Sequence, residues 1–523
     1  MKKIATLLAF TLFTCQGYTQ SVIEWQKQIG GSASDLATTI LQTSDGGYVA
    51  FGTSSSKDED ASGSHGGADV WLVKMDQNGT IEWQRMYGGS SNDYGRSILQ
   101  TKDGGYIFSG HAHSKDGDIS ANTDEADCWV VKIDVAGNIE WEKSFGTSPD
   151  GIADPSNIIQ TEDGGYVVAA FGNFIDYWFF KINDQGVLQW EKFFGGTRSD
   201  HLHKMRQTPD KGFILVGGSI SNDGDVTGHH GIVLFSDFWV VKTDSLGNMQ
   251  WQKSLGGSYS DEAFNVLVTS DGSYLVAGLS ECNDWDVSGH HGAIHSSDTW
   301  VVKLDGQGNI LWSRSLGGSV SVDQVYFSMI ETTEGDYILA GQSESSDGDL
   351  MGLTIGDNDC WMVKLNSTGE ILRQKVLGGT NFDAIIDMVR TTDNGFVAVG
   401  FSSSTDGDVT VPIHPPAPGQ MWYDFWVFKM KNVLTGTDDP SIGSLGVFPN
   451  PFSGSFSIMA DSESSISQFS MYNLLGQKVL QSYIYDGNPI NANSLPEGWY
   501  LLNAQMENGK TMQAKLLKAD AGN

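Results

Sequence analysis

Positive charge is scarce in this chain of 523 residues: 31 Lys and Arg face 64 Asp and Glu, leaving a net charge of −33. A surface of that sign repels phosphate backbones and anionic lipid heads, which argues against nucleic acid and membrane surfaces as partners. Cysteine is almost absent. Of the four, Cys15 lies in the N-terminal segment, and the remaining Cys128, Cys282 and Cys360 cannot all pair, so a disulfide framework is not expected. Cys128 and Cys360 each sit in Asp-Cys-Trp at equivalent repeat positions, which reads as buried filler. No apolar run reaches transmembrane length. Gly-x-Ser-x-Gly, His-Glu-x-x-His and a phosphate-cradling glycine loop are all missing, and with them the usual marks of a serine hydrolase, a zinc protease or a nucleotide site.

Glycine and tryptophan, at 64 and 16, are plentiful, which points to many tight turns and large aromatic packing units. The N-terminus reads as a signal peptide over residues 1–19. Lys2 and Lys3 precede the apolar stretch Ile4 to Phe13, and Gly17 and Thr19 are small residues placed for cleavage before Gln20. Phe13-Thr14 before Cys15 fits a lipobox badly.

Residues 20–431 are a repeat. The doublet Gly30-Gly31 recurs at Gly88, Gly195, Gly256, Gly317 and Gly378, with Gly146-Thr147 as a single-glycine version. Asp-x-Trp recurs with Trp71, Trp129, Trp178, Trp239, Trp300, Trp361 and Trp426, a period of about 60 residues and so seven units. Each unit reads as four short strands. In the first, Ile40 to Thr43 (strand A) turns at Asp45-Gly46-Gly47 into Tyr48 to Gly52 (B). A long polar loop follows, then Val70 to Met75 (C), the turn Asp76 to Gly79, and Ile81 to Tyr87 (D). Asp-Gly-Gly and Asn-Gly supply the positive φ of tight hairpins. Four strands at this period predict an all-β seven-bladed β-propeller. The chain begins with a D-type strand, Ile23 to Ile29, and the last unit ends after its C strand, Phe425 to Lys429. Pairing these two is expected to close the ring without exposed edges.

The wording of the units, typified by Leu255 to Asp261 and Gly272 to Gly278, resembles the SBBP-type β-propeller repeats of secreted bacterial proteins. That resemblance implies a fold and no particular activity. After a Gly/Thr/Asp/Pro/Ser linker at 432–444, residues 445–523 carry Phe448-Pro449-Asn450-Pro451, Tyr472 to Val479 and Gly498 to Leu502 in that order. Together these resemble the type A sorting domain of type IX secretion substrates, expected as a small C-terminal β-sandwich. The resemblance implies handling by the type IX translocon, removal of the tail, and a secreted or outer-membrane surface-attached protein.

The A–B and C–D turns are minimal, so function is expected on the rim formed by the B–C and D–A connections. Six B–C loops hold an Asp-x-Asp pair: Asp58/Asp60, Asp116/Asp118, Asp223/Asp225, Asp284/Asp286, Asp347/Asp349 and Asp406/Asp408. Alternating oxygen ligands on a tight loop suit calcium; the competing reading is that they cap turns through side-chain hydrogen bonds. His229-His230 and His290-His291 occupy equivalent loop positions, near His201 and His203. They suit either a transition metal or loop packing. Trp285 and Trp422 break the repeat inside B–C loops, as sugar-stacking platforms or as loop anchors. Thr43 to Gly47 is similar to the front half of a sialidase Asp-box, but its trailing Thr-Trp is missing, and seven arginines in the whole chain leave little for a substrate-carboxylate cluster. The third unit is the shortest, with its B–C loop cut to Gly172 to Ile175, which would open a groove in the rim. The function expected is a secreted or cell-surface binding or adhesion module for a glycan or protein. The alternative is a carbohydrate-active hydrolase using rim carboxylates.

Overall fold

The computed structural model describes residues 23–120, 127–146, 153–172, 176–293, 296–320, 323–351, 353, 356, 358–411, 423–430, 442–448, 452–460, 466–473, 477–482, 489–506 and 511–519. The signal-peptide and linker expectations lie largely outside them, as does Trp422. Two compact units divide at residue 431, and no described helix is long and apolar enough to cross a membrane.

The first unit is all-β and propeller-like. Among the described residues it holds seven four-stranded antiparallel sheets. The first runs A (Asp35–Gln42), B (Tyr48–Ser54), C (Asp69–Met75) and D (Ile81–Tyr87). The later A strands are Asp93–Gln100, Asp154–Gln160, Asp200–Gln207, Asp261–Val268, Asp323–Glu331 and Asp383–Arg390. Most A strands start earlier than the apolar pattern suggested, because a bulge follows their first residues, as between Ala37 and Thr39; the extra residue breaks the alternation on which the pattern rests. Consecutive A strands pack on one another throughout, and the first packs on the seventh.

The seventh sheet joins Asp383–Arg390, Phe396–Ser402 and Asp424–Met430 to Ile23–Ile29, with Gln28 opposite Trp426 and Lys27 opposite Val427. This strand repeats the chemistry of the other D strands. The indole N–H groups of Trp71, Trp239 and Trp361 donate to the D-strand residues Gln84, Gln252 and Gln374, and that of Trp426 donates to Gln26 at 3.0 Å. The D-strand Trp83, Trp141, Trp190, Trp251 and Trp312 each cover the C–D turn glycine of the next sheet, and Trp25 covers Gly79 of the first.

The Asp-x-Trp indoles are fully buried and anchor apolar layers between neighbouring sheets, each stabilising by roughly 2–3 kcal/mol through burial. One lysine per C strand (Lys74, Lys132, Lys181, Lys242, Lys303, Lys364, Lys429) pairs with the aspartate of the A–B turn. The Asp-Gly-Gly turn is thus pinned from below, which gives the Asp-box-like stretch a structural role.

Among the described residues of the second unit seven strands form one sheet, which the strand Ile442–Phe448 enters in parallel with Thr511–Lys518. That strand begins inside the expected linker. Phe452, Phe456, Met471, Leu502 and Leu516 form its core.

Candidate functional site

The rim is built from hydrogen bonds between the D–A link and the B–C loop of each sheet. The first Asp of each pair (Asp58, Asp116, Asp223, Asp284, Asp347, Asp406) accepts the backbone N–H of the Ser or Thr after the glycine doublet, at 2.7–2.9 Å. The second (Asp118, Asp225, Asp286, Asp349, Asp408) accepts the N–H of the first glycine at 3.2–3.4 Å. In the first sheet Asp60 donates its own N–H to the Gly30 carbonyl at 3.1 Å. These carboxylates clamp backbone. Among the described residues, no three His, Cys, Asp or Glu converge as a metal site. One oxygen of each first Asp accepts a backbone N–H, and the two members of a pair face separate donors, as the turn-capping reading expects.

The first glycine of the doublet sits between two carboxylates. A Cβ at Gly88 would lie 2.4 Å from Asp69 Oδ1 and 2.8 Å from Asp93 Oδ2, so any side chain is excluded. The third sheet lacks the whole device: Gly146-Thr147 replaces the doublet, Ala153 precedes its strand, and no Asp-x-Asp follows. Joint loss marks these features as one clamp. The expected groove there falls on residues 173–175, outside the described residues.

Three histidines bridge carboxylates of neighbouring sheets. His230 Nδ1 lies 2.9 Å from Asp237 and its Nε2 3.6 Å from Asp286. His291 links Asp298 at 2.8 Å to Asp349 at 3.9 Å, and His65 lies 3.8 Å from both Asp69 and Asp118. His229 and His290 have buried side chains beside Asp237 and Asp298, at 3.5 and 3.7 Å. Each Gly-His-His-Gly motif thus holds one imidazole that bridges two sheets and one buried beside an aspartate. His201 and His203 instead meet Glu262 of the fifth sheet, at 3.8 and 2.8 Å. They hold that carboxylate down to about 2 against the burial that would raise it. Glu262 carried no sequence motif; only its place on the A strand next to a His-x-His strand marked it.

Trp285 is 73% exposed at a left-handed backbone position, φ 53°, with its ring edge-on to His230 at 5.2 Å. Ile232 and Leu234, in the preceding sheet's B–C loop, are also exposed. A polar pocket of about 480 Å³ lies at the second sheet, lined by Ser90, Ser91, His113, Lys115 and Asp116.

The buried clamp carboxylates set a pH dependence. Burial pushes Asp261 up to about 7 and Asp35 up to about 6. Such groups bind a proton more tightly folded than unfolded, so their contribution is complete below the ordinary value of 3.8 and is lost as pH rises through about 7. The thermal midpoint is expected to fall between pH 5 and 8. A midpoint that rises over that interval in calorimetry would refute the assignment.

Residues 446–519 match the family described as a secretion system C-terminal sorting domain. No curated protein matches the chain. Among solved structures, it is similar to a protein of unknown function from Bacteroides caccae (15% identity, TM-score 0.35, 60% of this chain and 92% of that one). Another protein of unknown function, from Dyadobacter fermentans DSM 18053, aligns at 10% identity and TM-score 0.39, over 78% and 98%. Sqt1 from Chaetomium thermophilum aligns at 13% and 0.41, over 84% and 97%. With its sorting domain, the protein is a type IX substrate, secreted or attached to the outer-membrane surface.

Proposed function

We propose that this type IX-sorted protein is a closed seven-bladed β-propeller that binds a glycan or protein ligand on its B–C rim, as a surface binding or adhesion module. The closed ring is supported by the antiparallel pairing of Ile23–Ile29 with Asp424–Met430 and by the packing of the first A strand on the seventh. The observation that carries the binding reading is Trp285. A large aromatic held outward at 73% exposure, on a loop fixed by the Asp284 and Asp286 hydrogen bonds, is costly to solvate and rigid enough to stack. The repeated carboxylates serve the clamps, so the rim recognises through its departures from the repeat.

The test is a glycan-array and surface-protein screen of the mature protein and its Trp285→Ala variant, with millimolar calcium and with EDTA. Binding is expected to be insensitive to EDTA and to weaken about tenfold or more without the indole, while Trp285→Phe keeps most of it. Ligand binding that Trp285→Ala leaves intact removes the rim reading.

A further inference from the structure

In a chain this acidic, one innermost strand is basic. Between His201 and Arg206 the fourth A strand carries His201, His203, Lys204 and Arg206, whereas no other A strand holds more than one basic residue. Arg96 of the second sheet is neutralised by both oxygens of Asp154, at 3.0 and 2.9 Å, and Arg390 donates to Asn394. His203 meets Glu262. Among the described residues, Lys204 and Arg206 form no ion pair; the Arg206 guanidinium reaches only the Met205 carbonyl, at 3.5 Å.

The repeat shows what belongs at these two positions. Just past the bulge, the A strands carry Thr39, Ser97, Asn157, Lys204, Asn265, Ser328 and Asp387. Asp387, Ser97, Asn157 and Ser328 each cap the N–H that the bulge frees on the next sheet. Ile40 N–H donates to Asp387 at 3.0 Å, Ile158 N–H to Ser97 at 3.4 Å, Met205 N–H to Asn157 at 3.0 Å and Met388 N–H to Ser328 at 3.0 Å. An ammonium has no lone pair to offer, so Val266 N–H turns to its own neighbour, Asn265 Oδ1, at 2.9 Å. Two residues on, the other sheets carry Leu41, Leu99, Ile159, Leu267, Ile330 and Val389, and the fourth carries Arg206. Neither cation does the job of its position.

Both side chains are half-buried yet strongly desolvated, as expected in a confined tunnel. Desolvation, then the neighbouring guanidinium, brings Lys204 down to about 8. Asp387 is the one carboxylate whose charge reaches both. Two adjacent cations facing one distant counter-charge are unfavourable until an anion joins them.

We propose that Lys204 and Arg206 form an oxyanion-binding site in the central channel, taking the carboxylate or phosphate group of a small ligand. Arg206 supplies a planar fork and Lys204 a point charge, the usual division of labour at such groups. The site rests on the closed ring and is independent of the rim platform.

The experiment titrates the mature protein calorimetrically with inorganic phosphate and with acetate, at pH 7 in low-chloride buffer. Lys204→Asn and Arg206→Leu restore residue types that other sheets carry at these positions, so both variants are expected to fold. Each should weaken anion binding at least tenfold and the double variant abolish it. Without anion, the double variant should melt higher than the wild type. Tighter phosphate than acetate binding assigns a phosphate ligand, and the reverse a carboxylate. Trp285→Ala should leave anion affinity unchanged, which separates this site from the rim. No saturable binding of either anion to the wild type, or equal affinity in the double variant, overturns the proposal.

Discussion

Deleting residues 23–29 is expected to abolish cooperative folding of the first unit. The strand supplies the fourth partner of the seventh sheet, the Gln26 side-chain amide oxygen that accepts the Trp426 indole N–H, and the Trp25 ring over Gly79. Without it, Asp424–Met430 becomes an open edge flanked by an apolar layer that includes Phe425 and Val427. The half-buried Trp25 ring packs against this layer, and an unpaired strand of this kind invites association with other chains. The expected readout is aggregation on gel filtration and loss of a single thermal transition, with partial rescue by a peptide of residues 20–31 added in trans. A monomeric truncation with an unchanged midpoint would overturn both the ring closure and the channel built on it.

Substituting alanine for the B-strand glycine opposite the bulge is expected to be the most damaging conservative change. Gly341 is the clearest case: its Cβ would lie 1.7 Å from the Gln324 carbonyl oxygen. Gly217 and Gly400 face the carbonyls of His201 and Ala384 at 1.7 and 1.8 Å. The obstacle is fixed backbone, which has no rotamer by which to yield, so Gly341→Ala should destabilise by about 3 kcal/mol. Thermal or denaturant unfolding checks it. The third sheet carries Ala170 at the equivalent position, where its register partner is Pro155. Gly341→Ala melting within error of the wild type would mean that the bulge relaxes readily, contrary to this account.

The four-strand repeat and the sorting tail were legible because both rest on local signals: turn glycines, alternation, and short ordered motifs. The same signals put the strand Ile23–Ile29 in phase with the other D strands. The rim was harder to read. Asp-x-Asp on a glycine loop does not name its backbone donor, which for Asp58 is Ser32, 26 positions away. Gly-His-His-Gly was ambiguous for the same reason, since the bridge from His230 to Asp286 crosses between sheets. Lys204 and Arg206 were invisible to motif reading because what marks them is disagreement with six other copies. Aligning the bulge required the register, which an apolar pattern interrupted by the extra residue does not give.

The offset between the sequence unit and the folded unit has an evolutionary consequence. The chain repeats as D-A-B-C, whereas each sheet is A-B-C-D. A duplication or deletion of one whole sequence unit therefore leaves a D strand at the front and a C strand at the back. The two ends remain complementary whatever the number of copies, and the Trp–Gln bond and the Trp-over-glycine contact re-form at the new seam. Selection can thus change the number of sheets by unequal crossing-over alone, with no redesign of the join.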